Sequence, residues 1–194
     1  EVLADPRAFV SSVGEEPLRL VGQVAALDEP YTALLTADWT VVDEQLAAEY
    51  RTDYPDGGTG WQIAHHLDGR PAAGLLSTNG MWWRYPSTAS NANRKRANQI
   101  SRVFTCDDFL DAEIPFDPSI DLLDEAAIAN AIATNPSCTA CHRDLDPIAS
   151  NLYGFWFFYD DGLHLADAAV YHPEEEHRWR DQTGVAPGWF GAPT

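Results

Sequence analysis

The chain has 194 residues, with 30 acidic against 12 basic side chains and a net charge of −18. That length buries a core without disulfide or metal staples and suits one ordinary domain or two small ones. So acidic a surface repels nucleic acid and anionic lipid, and no apolar run approaches the ~18 residues of a membrane span.

Asp5 before Pro6 reads as a helix cap and a first helical residue, so residues 1–37 are expected to be helix and loop. Over 37–50, "ADWTVVDEQLAAEY", Thr40 and Asp43 resemble a capping box, and Val42, Leu46 and Tyr50 share one helical face. The spacing predicts a helix there. Residues 51–60, "RTDYPDGGTG", are loop. "WQIAHHLDGRPAAGLLS" (61–77) starts like a short strand and turns at Asp68-Gly69. A helix is expected over 90–105, with Ala97, Ile100, Val103 and Phe104 buried. Residues 107–125 carry eight acids, no base, Pro115 and Pro118; they read as a solvated connector. "DLLDEAAIANAIATNP" (121–136) is an Ala-rich helix stopped by Asn135-Pro136. An aromatic block, "GFWFFY" (154–159), an acidic loop and a Gly/Pro-rich tail, "GVAPGWFGAPT", close the chain. Strand signals are few, so the expected fold class is mainly α with long loops and little strand.

The stretch "NPSCTACHRDLDP" (135–147) carries the chemistry. Cys138 and Cys141 stand three apart with His142 directly after. Positions i and i+3 of a helix lie about 5–6 Å apart, a separation at which two thiols can add to the two vinyl groups on one porphyrin edge. The adjacent imidazole then reaches the iron, and a Cys-x-x-Cys-His run is the signature of covalent haem c attachment. Ser137 is the expected cap of this turn. Zinc needs two further ligands, for which Cys106 and one of the His would have to serve. A thioredoxin-like dithiol needs a preceding strand. Cys106 itself reads as a buried free thiol or as a partner for a cysteine outside this chain.

The distal side of such an iron stays open among three readings. Met81, the only Met, would raise the potential as a thioether ligand. A histidine is the second: His65 and His66 first, then His164, His172 and His177. The third is no ligand. Haem also brings two propionates, and the bases at 84–102 read either as a clamp for them, with Arg84, Arg94 and Arg96 as its members, or, more commonly, as a solvated helix face. The Nδ1 of His142 needs an acceptor: Asp144, Asp146 or, more commonly in such pockets, a backbone carbonyl near Pro147. Trp82, Trp83, Tyr85, Tyr153, Phe155 and Trp156 are candidates to wall the macrocycle. Calcium at the acids of 107–125 is a weaker alternative, since EF-hand spacing is missing.

Three stretches carry a family resemblance: "YTALLTADWTVVDEQLAAEY", "AAGLLSTNGMWWRYPSTASNANRKRANQISRVFTCDDFL" and "NPSCTACHRDLDPIASNLYGFW". Together they resemble the planctomycete- and myxobacterial-type cytochrome c domain proteins over roughly residues 30–165. "SNLYGFWFFYDDG" departs from that group's usual pattern. The resemblance implies haem c on Cys138 and Cys141, His142 on the iron, and a periplasmic or extracellular location. Members of that group are usually longer on both sides. The stretch from Glu1 lacks the basic and apolar regions of a secretory signal. The expectation is a chain whose signal has been removed, or a piece of a longer protein.

The expected architecture is a cytochrome-c-like helical haem domain over 61–194, with residues 1–60 as a helical segment packed on it. The expected function is that of a monohaem c-type cytochrome in electron transfer, with a basic redox partner drawn to the acidic surface. The alternatives are a haem enzyme domain with an open distal site for peroxide or oxygen, and a haem-bearing subunit of a larger envelope or extracellular assembly.

Overall fold

Asp5 accepts hydrogen bonds from the backbone N–H groups of Arg7 and Ala8 through Oδ1, and Pro6 takes the first helical position, where its missing N–H costs nothing. The computed structural model describes residues 5–88, 91–111, 117–155 and 169–176. It is mainly helical. Pro115, Trp156, His164 and His177, and the closing "GVAPGWFGAPT", lie outside the described residues. The described residues form two compact units. The first takes in those up to Pro86 and those between Gly154 and Glu174; the second takes in those from Ser87 to Tyr153, with Glu175 and Glu176.

In the first unit, helix α1 (Pro6–Ala26) buries Phe9, Val13, Glu16, Leu20 and Val24 on one stripe. Pro17 inside it has no N–H for the carbonyl of Val13. A short helix α2 (Ala33–Thr36) leads to strand β1 (Thr40–Val42), which pairs antiparallel with β2 (Gln62–Ala64), Thr40 opposite Ala64. The strand pair joins residues on either side of position 60 within one unit.

The helix expected over 37–50 is thus split. Three consecutive buried β-branched residues, Thr40, Val41 and Val42, extend as strand, and only α3 (Glu44–Ala47) is helical, opened by Asp43 accepting from the Leu46 N–H at 3.0 Å. Val42, Leu46 and Tyr50 are buried all the same. They join Phe9, Val13, Ala64 and Ala169 in the core, with Tyr54, Trp61 and Trp83 packed against it. A 3-10 turn (Gly74–Ser77) then leads into α4 (Asn79–Arg84), which packs on α1.

In the second unit, α5 (Arg94–Phe104) and α6 (Glu125–Thr134) both pack on α7 (Pro136–Ser150). The buried face of α5 is Arg96, Ala97, Asn98 and Ser101 rather than the expected apolar set; of that set Ala97 is buried, whereas Val103 is 50% exposed. Polar residues can face inward because they find partners. The Asn98 side chain donates to Asp108 Oδ1 at 2.9 Å and accepts from the Phe109 N–H at 2.9 Å. Asp124 caps α6. Among the described residues, no helix is long and apolar enough to cross a membrane.

Candidate functional site

The cysteine motif lies on α7, and Asn135 places it there. The Asn135 side chain accepts from the Ser137 N–H at 2.9 Å, and Pro136 follows as the first helical residue, so Asn135 is the cap and Ser137 lies inside the helix. Cys138 and Cys141 are then one turn apart, both half-buried and both free thiols. Burial pushes the Cys141 thiol above its ordinary pKa, and the negative charges of Asp107 and Asp144 push it the same way. A reactive redox dithiol needs the opposite shift. The element before α7 is moreover the helix α6, not a strand.

His142 follows Cys141 by one residue and is 22% exposed. Its Nδ1 stands 3.0 Å from Asp146 Oδ1, four residues on along the same helix. Burial raises the Asp146 carboxyl, but hydrogen bonds from His142 and Arg94, with the charge of Arg94, outweigh it, so its pKa lies below the ordinary carboxylate value. An ionised carboxylate only accepts, so Nδ1 carries the proton. In the neutral ring Nε2 is then the bare nitrogen, the one suited to a metal. The backbone alternative near Pro147 is occupied: its carbonyl accepts from Ser150 Oγ at 2.8 Å and Asn151 Nδ2 at 2.7 Å.

Arg94 comes from α5 and grips the same carboxylate. Its Nε donates to Asp146 Oδ1 at 2.8 Å and one Nη to Oδ2 at 3.2 Å. The three arginines of the expected propionate clamp have different surroundings. Arg94 is engaged with Asp146. Arg96 is fully buried and donates to Asn93 Oδ1 at 3.2 Å, and burial lowers its pKa to about 9. Arg84 is exposed in the other unit, over the ring of Tyr85 at 5.4 Å.

Met81 is half-buried in α4 of the first unit, whereas His142 belongs to the second. His65 is committed to Asp53 through Nδ1 at 2.9 Å, and His172 to Glu174 through Nδ1 at 3.0 Å. The His66 side chain is 6% exposed, and neither ring nitrogen has a hydrogen-bond partner. Trp82, with Nε1 donating to the Leu76 carbonyl at 2.9 Å, packs at a tilt on Phe155, centroids 5.5 Å apart, in the first unit, where Trp83 meets Phe9. Cys106, expected to be buried, is exposed just past α5.

The donors on α7 fit a haem held by thioether links: two free thiols one turn apart and an imidazole held through Nδ1 by a carboxylate. Among the described residues, no group of three or more His, Cys, Asp or Glu is placed to hold a metal ion, so the zinc alternative lacks its further ligands there. The spacing of His142 and Asp146 is readable from sequence once α7 is known to run through Pro147. The pairing of Arg94 with Asp146, across 52 residues, has no local signal. No protein-family description, curated protein or solved structure matches this chain.

Proposed function

We propose that the protein is a monohaem c-type cytochrome of the periplasm or the extracellular space, of the planctomycete- and myxobacterial-type group, working in electron transfer. Cys138 and Cys141 would hold the haem covalently and His142 would supply the proximal nitrogen. Such a group supplies a one-electron ferric–ferrous couple when bound. The observation that carries the reading is the His142–Asp146 contact of 3.0 Å beside two free thiols, which holds the ring by its Nδ1 edge. Asp146 orients the imidazole, Arg94 holds Asp146, and α7 carries all three donors between Cys138 and His142.

The distal ligand stays open among Met81, a histidine such as His65 or His66, and none. The cytochrome-c-like fold, and a basic redox partner steered by the net charge of −18, belong to the same proposal. A second reading draws on Asp146. A carboxylate acceptor raises the basicity of a proximal imidazole, which also suits an iron with an open distal position acting on peroxide or oxygen.

The test is maturation in a host that exports the chain and attaches haem c, followed by intact mass and absorption spectra. The expected product is red, heavier by one haem, and loses it in Cys138→Ser/Cys141→Ser. A colourless protein of bare polypeptide mass would end the proposal. A low-spin spectrum favours the electron carrier and a high-spin one the open-site enzyme. Met81→Ala with an unchanged spectrum removes Met81 as ligand.

A further inference from the structure

We propose that Asp146 and Arg94 are positioning residues that set, in opposite directions, the reduction potential of an iron bound to His142. The inference rests on the haem c reading and goes beyond it by naming what tunes the site.

The geometry is a relay of three side chains. Asp146 is 2% exposed, so its charge is screened by protein rather than by water. Its Oδ1 takes two donors at once, His142 Nδ1 at 3.0 Å and Arg94 Nε at 2.8 Å. The two compete for one oxygen. A full carboxylate charge on Nδ1–H draws the proton outward and loads electron density onto the ring, making Nε2 a stronger donor. A stronger donor favours the ferric state and lowers the potential. The guanidinium works against this. It withdraws density from Oδ1 and adds a positive charge that is itself 19% exposed, so the imidazole is loaded less than by a bare carboxylate.

A carbonyl acceptor would carry only a partial charge and no such counterweight. That alternative is closed here, since the Pro147 carbonyl already takes Ser150 and Asn151. Helix geometry fixes the first contact, because residues four apart lie on one face. Tertiary packing of α5 on α7 fixes the second.

The test uses the full chain with covalent haem, verified by intact mass, and compares spectroelectrochemical potentials of the wild type, Asp146→Asn and Arg94→Gln. Asp146→Asn removes the charge while keeping an oxygen acceptor. It is expected to favour the ferrous state about tenfold, a rise of about 59 mV for a one-electron couple. Arg94→Gln is expected to move the potential down. The proton-coupled ¹⁵N spectrum of His142 in the unloaded wild type should show the proton on Nδ1, and Asp146→Asn should weaken that preference. Haem attached but both potentials unmoved, or both moved the same way, overturns the proposal and leaves the haem c reading standing. If Asp146→Asn fails to mature, Arg94→Gln still decides by the sign of its shift. A wild type of bare polypeptide mass overturns both.

Discussion

The ring of His66 lies against the ring of Tyr50, centroids 5.8 Å apart, and its Nε2 stands 3.8 Å from Glu16 Oε1. Glu16 is fully buried and accepts from Thr40 Oγ1 at 2.9 Å, the Tyr50 hydroxyl at 3.0 Å and the Asn79 N–H at 3.1 Å. Burial pushes the Glu16 carboxyl above its ordinary value, against the charge of Arg70 and its hydrogen bonds. Glu16 thus caps α4 from another helix.

The same burial makes His66 a source of acid sensitivity. Burial first, then the positive charge of Arg70, lowers its pKa from 6.5 to about 3, against the pull of Asp68 and Asp53. The unfolded chain therefore binds the proton first. Stability from a neutral His66 is fully present above pH 6.5 and is lost as pH falls toward 3. Between pH 7 and 5 the wild type should lose roughly 2 kcal/mol more than His66→Gln. Glu16, raised above 4.5, contributes with the opposite sign in both proteins. Urea unfolding at the two pH values checks this; equal losses would show that His66 is protonated in the fold.

Arg70 and Asp68 form a buried pair, Nε to Oδ1 at 3.0 Å and one Nη to Oδ2 at 2.6 Å, and Arg70 also donates to the carbonyls of Ser77 and Ala169. Arg70→Met strands a buried carboxylate and should cost about 3–5 kcal/mol. Asp68→Asn/Arg70→Met should cost less than the sum of the two single changes by about 1 kcal/mol or more. A double-mutant cycle from chemical denaturation measures the difference, and additive losses would mean the pair is not coupled.

Gly80 separates two effects of opposite sign. It lies inside α4, where helix propensity favours Ala by about 1 kcal/mol. A Cβ there would run into the carbonyl oxygen of Val13 and stand 2.6 Å from the Pro17 ring. That carbonyl is the one Pro17 leaves without a helical donor, so α4 approaches α1 where only hydrogen fits. Overpacking wins: Gly80→Ala should destabilise by about 2–3 kcal/mol, read from thermal unfolding. A gain in stability would show that the helices are farther apart.

Cys106 adopts a left-handed backbone, φ +57°, just after α5. An L side chain there costs about 1 kcal/mol, and Gly pays none of it. Cys106→Gly should therefore hold or raise stability by about 0.5–1 kcal/mol and abolish any dimer linked through this exposed thiol. Urea midpoints and non-reducing gels read the two effects separately.

The elements legible in advance share one property: their signals act within a few residues. Asp5-Pro6 opened α1, Asn135-Pro136 ended α6, and the motif residues fell on consecutive positions of α7. Helix caps and i, i+3 neighbours need no knowledge of the rest of the chain. Residues 40–50 show the limit. Val42, Leu46 and Tyr50 had the right burial for a helix face, yet Thr40–Val42 became strand because β2 offered partners 20 to 24 residues away.

The spacing of Cys138, Cys141, His142 and Asp146 belongs to the sequence alone, since a helix converts spacing into adjacency. Which partner each charged group found was decided only by the tertiary structure: Arg94 for Asp146 across 52 residues, and Asn79 for Glu16 across 63. Burial strips water from these groups, and each must then take whichever opposite charge or donor packing brings within reach, a choice no local pattern encodes.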